Sequence, residues 1–280
     1  VSFLLRESLE RFLAEDIGRG DATTNAIVPP GTKGRGRFVF RTDAVVCGLD
    51  VAAEVFGILD PSATWSAERV DGSRAAAGES AATVSGEARA LLSGERVALN
   101  LLQRMCGIAT ATRRYADAVA GTRCRILDTR KTAPGLRALD KRAVAAGGGA
   151  NHRFGLDDGV LVKDNHLAVA GSVAEAVRRA RRQAPHLVRI EVEVESEAAL
   201  REALAGGADA LLLDNRSPGE LASLVAVARA LRPEVALEAS GGITFENVRA
   251  YADTGVDFVS VGALTHSVRA IDIAMEIELA

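Results

Sequence analysis

Nine basic side chains fall between residues 123 and 163: Arg123, Arg125, Arg130, Lys131, Arg137, Lys141, Arg142, Arg153 and Lys163. Four acids, Asp128, Asp140, Asp157 and Asp158, share that window, so it carries +5 while the rest of the chain carries −8. A charge run is usually a solvated face. Here the cations are interleaved with glycines and with Asn151, His152 and Asn165, a composition suited to gripping an anion. They outnumber what one phosphate ester needs, and call for a ligand with several negative charges, such as a diphosphate or a dicarboxylate. Two carboxylates, Glu193 and Asp214, and two glycine loops, Ser240-Gly241-Gly242 and Gly262-Ala263, lie further along. Such loops let backbone N–H groups approach an oxyanion. Carboxylates facing a cationic site could hold Mg²⁺ or hydroxyls, or stabilise a developing positive charge.

These groups need a scaffold, and the sequence from residue 124 supplies a repeating one. Short apolar runs occur at 124–127, 159–162, 189–192, 210–213, 235–239 and 258–261, with helical patterns between them. Ser217-Pro218-Gly219-Glu220 is a helix start with a capping serine, proline at the first position and glutamate at the third. Thr244 precedes Phe245, Val248 and Ala252, spaced for one helix face, and Gly255 closes that segment. Apolar strands alternating with helices predict parallel βα units. Six such units are too few for the eight-fold barrel, which takes about 250 residues. The expectation is therefore an α/β fold with a smaller or open parallel barrel of six or seven strands.

The candidate residues cluster just past the carboxyl ends of those strands: Asp128-Thr129-Arg130-Lys131, Lys163, Glu193, Asp214-Asn215, Ser240-Gly241-Gly242 and Gly262-Ala263. Ligands bind at that rim in parallel α/β folds. Helix capping and turn formation account for Asn215, but not for Arg130, Lys131, Lys163 and Glu193 together.

The first 120 or so residues lack this repeat. They predict a helix over 2–14, strands around 35–41 and 43–49, a short helix near 50–59, β-rich pieces at 64–70 and 80–86, and a long helical region punctuated at Gly94 and Gly107. This is an α+β unit handing over near residue 107.

Composition narrows the function class. The 280 residues are 48% hydrophobic and 25% charged with a net charge of −3, so no global basic field recruits nucleic acid. The longest stretch without Asp, Glu, Lys or Arg is eleven residues, against the ~20 that a spanning helix needs. Acids interrupt the first eighteen residues, which pattern as an amphipathic helix rather than a signal peptide. Cys47, Cys106 and Cys124 form no CxxC pair, and a reducing cytoplasm suits them.

Several segments together resemble the quinolinate phosphoribosyltransferase family. They are EDIGRGDATT (15–24), SGERVALNLLQRMCGIAT (93–110), the long block 128–166, EVEVE (191–195), LLLDN (211–215), ASGGI (239–243) and VGALTHS (261–267). The resemblance implies transfer of phosphoribosyl from phosphoribosyl pyrophosphate to quinolinate, releasing pyrophosphate and carbon dioxide and leaving nicotinate mononucleotide for NAD biosynthesis. It implies Mg²⁺ as cofactor, and an N-terminal α+β sandwich over 1–106, with the tail 268–280 packing on it, beside an incomplete, open six-stranded parallel α/β barrel over 107–267. It also implies a homodimer, with a higher oligomer open, in which Arg96 enters the partner's site. On this reading Arg96, Thr129, Arg130, Lys131, His152, Arg153 and Lys163 bind substrate. Ser240, Gly241, Gly242, Val261, Gly262 and Ala263 hold the ribose phosphate. Glu193 and Asp214 lie near the ribosyl and the metal, and with Lys131 stand nearest the chemistry. Glu191, Glu193 and Glu195 share one strand face by period two, which leaves open which of them faces the site. Two rivals remain from the residues alone: a Schiff-base lyase using Lys131 or Lys163, and transfer to a different anionic acceptor. His166 reads as loop-ordering, His266 as structural, and Trp65 as core.

Overall fold

The computed structural model of the protein describes residues 3–279. The elements in chain order are α1 (Phe3–Ile17), α2 (Ala22–Ile27), β1 (Lys33–Phe40), β2 (Ala44–Val45), α3 (Leu49–Leu59), β3 (Thr64–Ala67), β4 (Arg74–Ala75), β5 (Ser80–Glu87) and α4 (Ala88–Ala118). Then follow β6 (Arg125–Leu127), α5 (Arg137–Ala146), β7 (Val160–Val162), α6 (Asp164–Ala170), α7 (Val173–Gln183), β8 (Ile190–Val194), α8 (Glu197–Ala205) and β9 (Ala210–Asp214). The chain closes with α9 (Pro218–Leu231), β10 (Ala236–Ser240), α10 (Val248–Ala252), β11 (Phe258–Ser260), α11 (Ala263–His266) and β12 (Ile273–Leu279).

Two compact units result. The first comprises the described residues up to Arg113, Ala133–Gly148, and those from Val268 onward; the second comprises Arg114–Thr132 and Gly149–Ser267. In the first unit an antiparallel sheet runs β12-β1-β5-β3. Burial along Lys33–Phe38 alternates with period two, as a sheet wetted on one face requires. Its covered face meets α3, where Phe38, Phe56 and Trp65 bring their rings to 5.3–6.3 Å between centroids.

The first unit departs from the sequence reading in two respects. The long helix does not break at its glycines: α4 passes through both Gly94 and Gly107. A Cβ on Gly94 would press on Phe56 and Leu59, and one on Gly107 would overlap the carbonyl oxygen of Arg269. Both glycines permit close packing rather than end the helix. In addition, α5 follows the first barrel strand in sequence but packs in the first unit. There Arg104 grips the fully buried Asp140 with two 2.8 Å bonds, and Arg142 reaches Asp50 and Asp71. This segment, from beyond residue 107, thus belongs with the first compact unit.

The second unit is the incomplete α/β barrel. Its parallel sheet has the order β6-β11-β10-β9-β8-β7. Ile190, Val192, Leu211 and Leu237 are fully buried, while the alternate positions Glu191, Glu193, Leu212, Asp214, Glu238 and Ser240 turn to the other face. The predicted start of α9 is present: Glu220 N–H donates to Ser217 Oγ, and Ser217 N–H donates to Glu220 Oε2 at 2.9 Å. Thr244 does not cap α10 directly. Its N–H donates to Asn247 Oδ1 at 2.8 Å, and the helix begins one residue later at Val248.

Gly107→Ala sets helix propensity against packing. Alanine gains up to ~1 kcal/mol in a helix interior, but overlap with a backbone carbonyl should outweigh this and leave a net loss of about 1–3 kcal/mol. Gly57→Ala in α3, where a Cβ meets nothing within 4 Å, should instead stabilise by about 0.5–1 kcal/mol. Urea unfolding of the two variants reads both signs.

Candidate active site

The carboxyl ends of the parallel strands open into a cavity of about 670 Å³, within the size range of small-molecule sites. Thr129, Arg130, Lys131, His152, Arg153, Lys163, Asp214, Ser240, Gly241, Gly242, Gly262 and Ala263 all line it. Among the residues expected there, three stand elsewhere. The carboxylate of Glu193 pairs with the Lys163 ammonium at the edge of the wall. Val261 is buried, its N–H donating to Leu127 O at 3.0 Å, so it extends the strand ladder instead of lining the cavity. Arg96 is exposed on α4 in the first unit.

Local bonding fixes the cationic wall. Past β6, Lys131 N–H donates to Thr129 Oγ1 at 3.0 Å, and Thr265 Oγ1 donates to Lys131 O at 2.8 Å. A Cβ on Gly262 would lie 3.1 Å from Lys131 Cδ, so glycine lets the lysine stem cross there. Arg153 donates to the carbonyl of Gly159 at 2.7 Å. Its guanidinium is pulled below the usual arginine range by burial first and by neighbouring Arg130 second. That is the electrostatic mark of a pocket short of negative charge.

His152 is held from both ring nitrogens. Arg153 N–H donates to Nδ1 at 2.7 Å, and a backbone N–H can only donate, so Nδ1 is the acceptor and Nε2 carries the ring proton. Nε2 then donates to Glu191 Oε2 at 2.9 Å, while His152 N–H donates to Asp128 Oδ1 at 2.9 Å. Among the three glutamates of EVEVE, Glu191 thus holds the histidine, Glu193 the lysine, and Glu195 lies exposed beyond the end of β8.

The opposite wall is built for close backbone approach. Gly241 and Gly242 have φ of +90° and +64°, and Asn215 has φ of +50°. Asn215 N–H donates to Ser240 O at 3.0 Å, and its side chain donates to Asp214 Oδ2 at 2.5 Å. A Cβ on Gly241 would sit 2.7 Å from Asn215 Cγ, so only glycine fits.

Matches to known proteins agree with this geometry. The quinolinate phosphoribosyl transferase N-terminal domain matches residues 21–106 and its C-terminal domain residues 108–276. The chain belongs to the quinolinate phosphoribosyltransferase family. It is 45% identical over 275 residues to the probable nicotinate-nucleotide pyrophosphorylase [carboxylating] of Bacillus subtilis, covering 98% of this chain and 94% of that one. The Mycobacterium leprae nicotinate-nucleotide pyrophosphorylase [carboxylating] is 47% identical, with 97% and 96% covered. A crystal structure of NadC from Streptococcus pyogenes superposes with a TM-score of 0.95 at 37% identity, covering 100% of this chain and 98% of that chain.

Several participants in this family member's site escaped the sequence reading. Glu238 sits inside the apolar run VALEA, and a charged residue there was the available signal. Ser260, Asn215 and His266 also line the cavity; Asn215 had been accounted for as a turn former and His266 as structural. His166 does order its loop, accepting the Lys163 N–H at Nδ1 over 2.9 Å. For a cation, His152, Glu191 and Glu238 place ligand atoms within 4.8 Å of one another, but the ring nitrogen facing them carries a proton, which already fills the gap. Asp214, which lines the cavity, and Glu193, whose carboxylate Lys163 holds at its edge, are hard oxygen donors. That is the setting in which Mg²⁺ binds through one or two carboxylates and its substrate.

Gly241→Ala should force Asn215 and the loop apart. The positive φ alone costs on the order of 1 kcal/mol, so the fold should survive. kcat/KM should fall at least about tenfold, with the loss concentrated in KM for the phosphorylated substrate. Steady-state kinetics beside a melting curve checks both parts.

Proposed function

We propose that this protein transfers the phosphoribosyl group of phosphoribosyl pyrophosphate to the ring nitrogen of quinolinate, with decarboxylation, giving nicotinate mononucleotide, pyrophosphate and CO₂. The observation that carries the reading is one cavity lined by Arg130, Lys131, Arg153 and Lys163, by the two glycine loops and by Asp214, with Glu193 paired to Lys163 at its edge. Arg130, Lys131, His152 and Arg153 form the cradle for the two acceptor carboxylates. The Ser240–Gly242 and Gly262–Ala263 backbone receives the ribose phosphate.

The chemistry explains the residue types. Acceptor and donor are both polyanions, so bringing them together requires cations on the protein. As the bond from ribose C1 to pyrophosphate breaks, C1 gains oxocarbenium character, and the carboxylates of Asp214 and Glu193 stabilise it electrostatically. The ring nitrogen supplies its electron pair to C1 and becomes cationic. The neighbouring carboxylate then leaves as CO₂, and the electron pair it leaves behind, stabilised by the adjacent N⁺, takes up a proton. Mg²⁺ held by Asp214 and Glu193 would neutralise charge on the pyrophosphate.

Among the described residues no helix is long and apolar enough to cross a membrane, and Cys47, Cys106 and Cys124 are free thiols. Both support work in the cytoplasm. We further propose that the active unit is a homodimer with Arg96 reaching the partner's cradle.

Incubation with quinolinate, phosphoribosyl pyrophosphate and Mg²⁺ should yield nicotinate mononucleotide, and chelation of the metal should suppress it. Nicotinate lacks one carboxylate and leaves part of the cradle unpaired. Its kcat/KM should therefore be lower by at least about 100-fold; comparable values would mean another acceptor. The dimer reading is checked by subunit exchange. Arg96→Ala and Lys131→Ala homodimers should each be nearly inactive, and equal mixing should recover about a quarter of wild-type activity, because half the dimers are mixed and each has one intact site. No recovery after verified exchange would return Arg96 to its own chain.

A further inference from the structure

Beneath the cation wall lies a second group of titratable side chains that the reaction itself does not use. Glu238 on β10 is 3% exposed. Its Oε2 is 3.6 Å from His152 Nε2, too far for a hydrogen bond, because the single proton on that nitrogen is already directed to Glu191 at 2.9 Å. Ser260 on β11 bonds to the Glu238 carboxyl, while the charges of Glu191 on β8 and of Asp128 oppose its ionisation. On β9, Leu212 pairs with Glu238 on one side and with Glu193 on the other; it offers no charge itself, and the Glu193 carboxylate is held by Lys163.

We propose that Glu238, acting through Glu191 and His152, is a positioning residue that sets how tightly the cradle holds its anionic acceptor. The proposal rests on the quinolinate reading of the pocket. An ionised Glu238 would lie buried with its oxygens within 4.8 Å of the Glu191 carboxylate, and burial together with that repulsion favours its protonated form. Burial first, and then the Glu191 charge, push the Glu238 carboxyl up to about 8. As a neutral acid, Glu238 leaves Glu191 free to orient the His152 ring, whose Nδ1 in turn takes the Arg153 N–H. Once ionised it places an extra negative charge below the site of a dicarboxylate. It also offers His152 Nε2–H a competing acceptor, loosening the ring that Arg153 rests on.

The sign follows directly. The acceptor's two carboxylates are already ionised at neutral pH, so only the protein's change matters. Acceptor binding favours the protonated floor and weakens as pH rises through the titration of Glu238.

The test compares wild type with Glu238→Gln, which is neutral at every pH, over pH 6.5–9.5 at saturating phosphoribosyl pyrophosphate. Wild-type kcat/KM for quinolinate should fall above pH 8, approaching tenfold per unit, through KM rather than kcat. The Gln variant should lack that descent, so the wild-type-to-variant ratio should change about tenfold between pH 7 and 9. Ser260→Ala removes a bond that favours the ionised form and should move the descent to higher pH; it keeps the test decisive if the Gln variant does not fold. Identical profiles for all three proteins, or a change confined to kcat, would overturn the role of Glu238 while leaving the quinolinate reading intact. A wild-type protein that makes no nicotinate mononucleotide would overturn both.

Discussion

The second unit is organised around a single electrostatic difficulty, which is keeping several cations close together without neutralising them. Arg153 feels both burial and the neighbouring Arg130, and carboxylates placed among these side chains would relieve the repulsion at the expense of affinity for an anion. Glu193 pairs with Lys163 at the edge, and three other acids are committed to N–H donors. Asp128 takes the backbone N–H of His152, Asp158 takes that of Phe154 at 2.7 Å, and Glu191 takes the ring proton of His152. Arg153 itself is held by a neutral acceptor, the Gly159 carbonyl. The wall is thus rigid and remains positive, and the missing negative charge must come with the ligand.

That arrangement depends on the depth a parallel sheet provides. On β8 and β10 the alternate residues of one face form two layers. Ser240 pairs in register with Asp214 at the carboxyl rim, and Glu238 pairs with Leu212 one pleat below. Residues of the same type acquire different roles from the partners they meet. Glu193 meets the Lys163 ammonium, whereas Glu191 and Glu238 both stand near the His152 ring.

The alternation of apolar runs and helical patterns made all six parallel strands legible, because strands covered on both faces read as continuous apolar segments. The rim was legible for the same reason: a cation or carboxylate just past such a run has no role in packing. Period two could not separate Glu191, Glu193 and Glu195, since that choice turns on where β8 ends and on which partner each residue meets across the barrel. Gly94 and Gly107 read as punctuation because a glycine's local effect is weakness in a helix. The atoms that need its missing side chain, in Phe56 and Arg269, are far away in sequence. The same distance hid the return of α5 to the first unit, which depends on Asp140 finding Arg104 and on Arg142 finding Asp50 and Asp71.

Depth also explains why the floor of the barrel is polar at all. Aliphatic side chains at Glu191 and Glu238 would fill the space, but His152 Nε2–H would then be buried without an acceptor, which costs about 1–3 kcal/mol. The ring would also be free to rotate away from Arg153. A single glutamate would satisfy that proton, yet it would leave the Ser260 hydroxyl and the opposite side of the barrel without a partner. With Glu238 kept neutral by burial and by the neighbouring Glu191 charge, the two carboxyl groups satisfy both strands while adding one negative charge instead of two. In a site whose ligands are both polyanions, that difference of one charge falls directly beneath the acceptor.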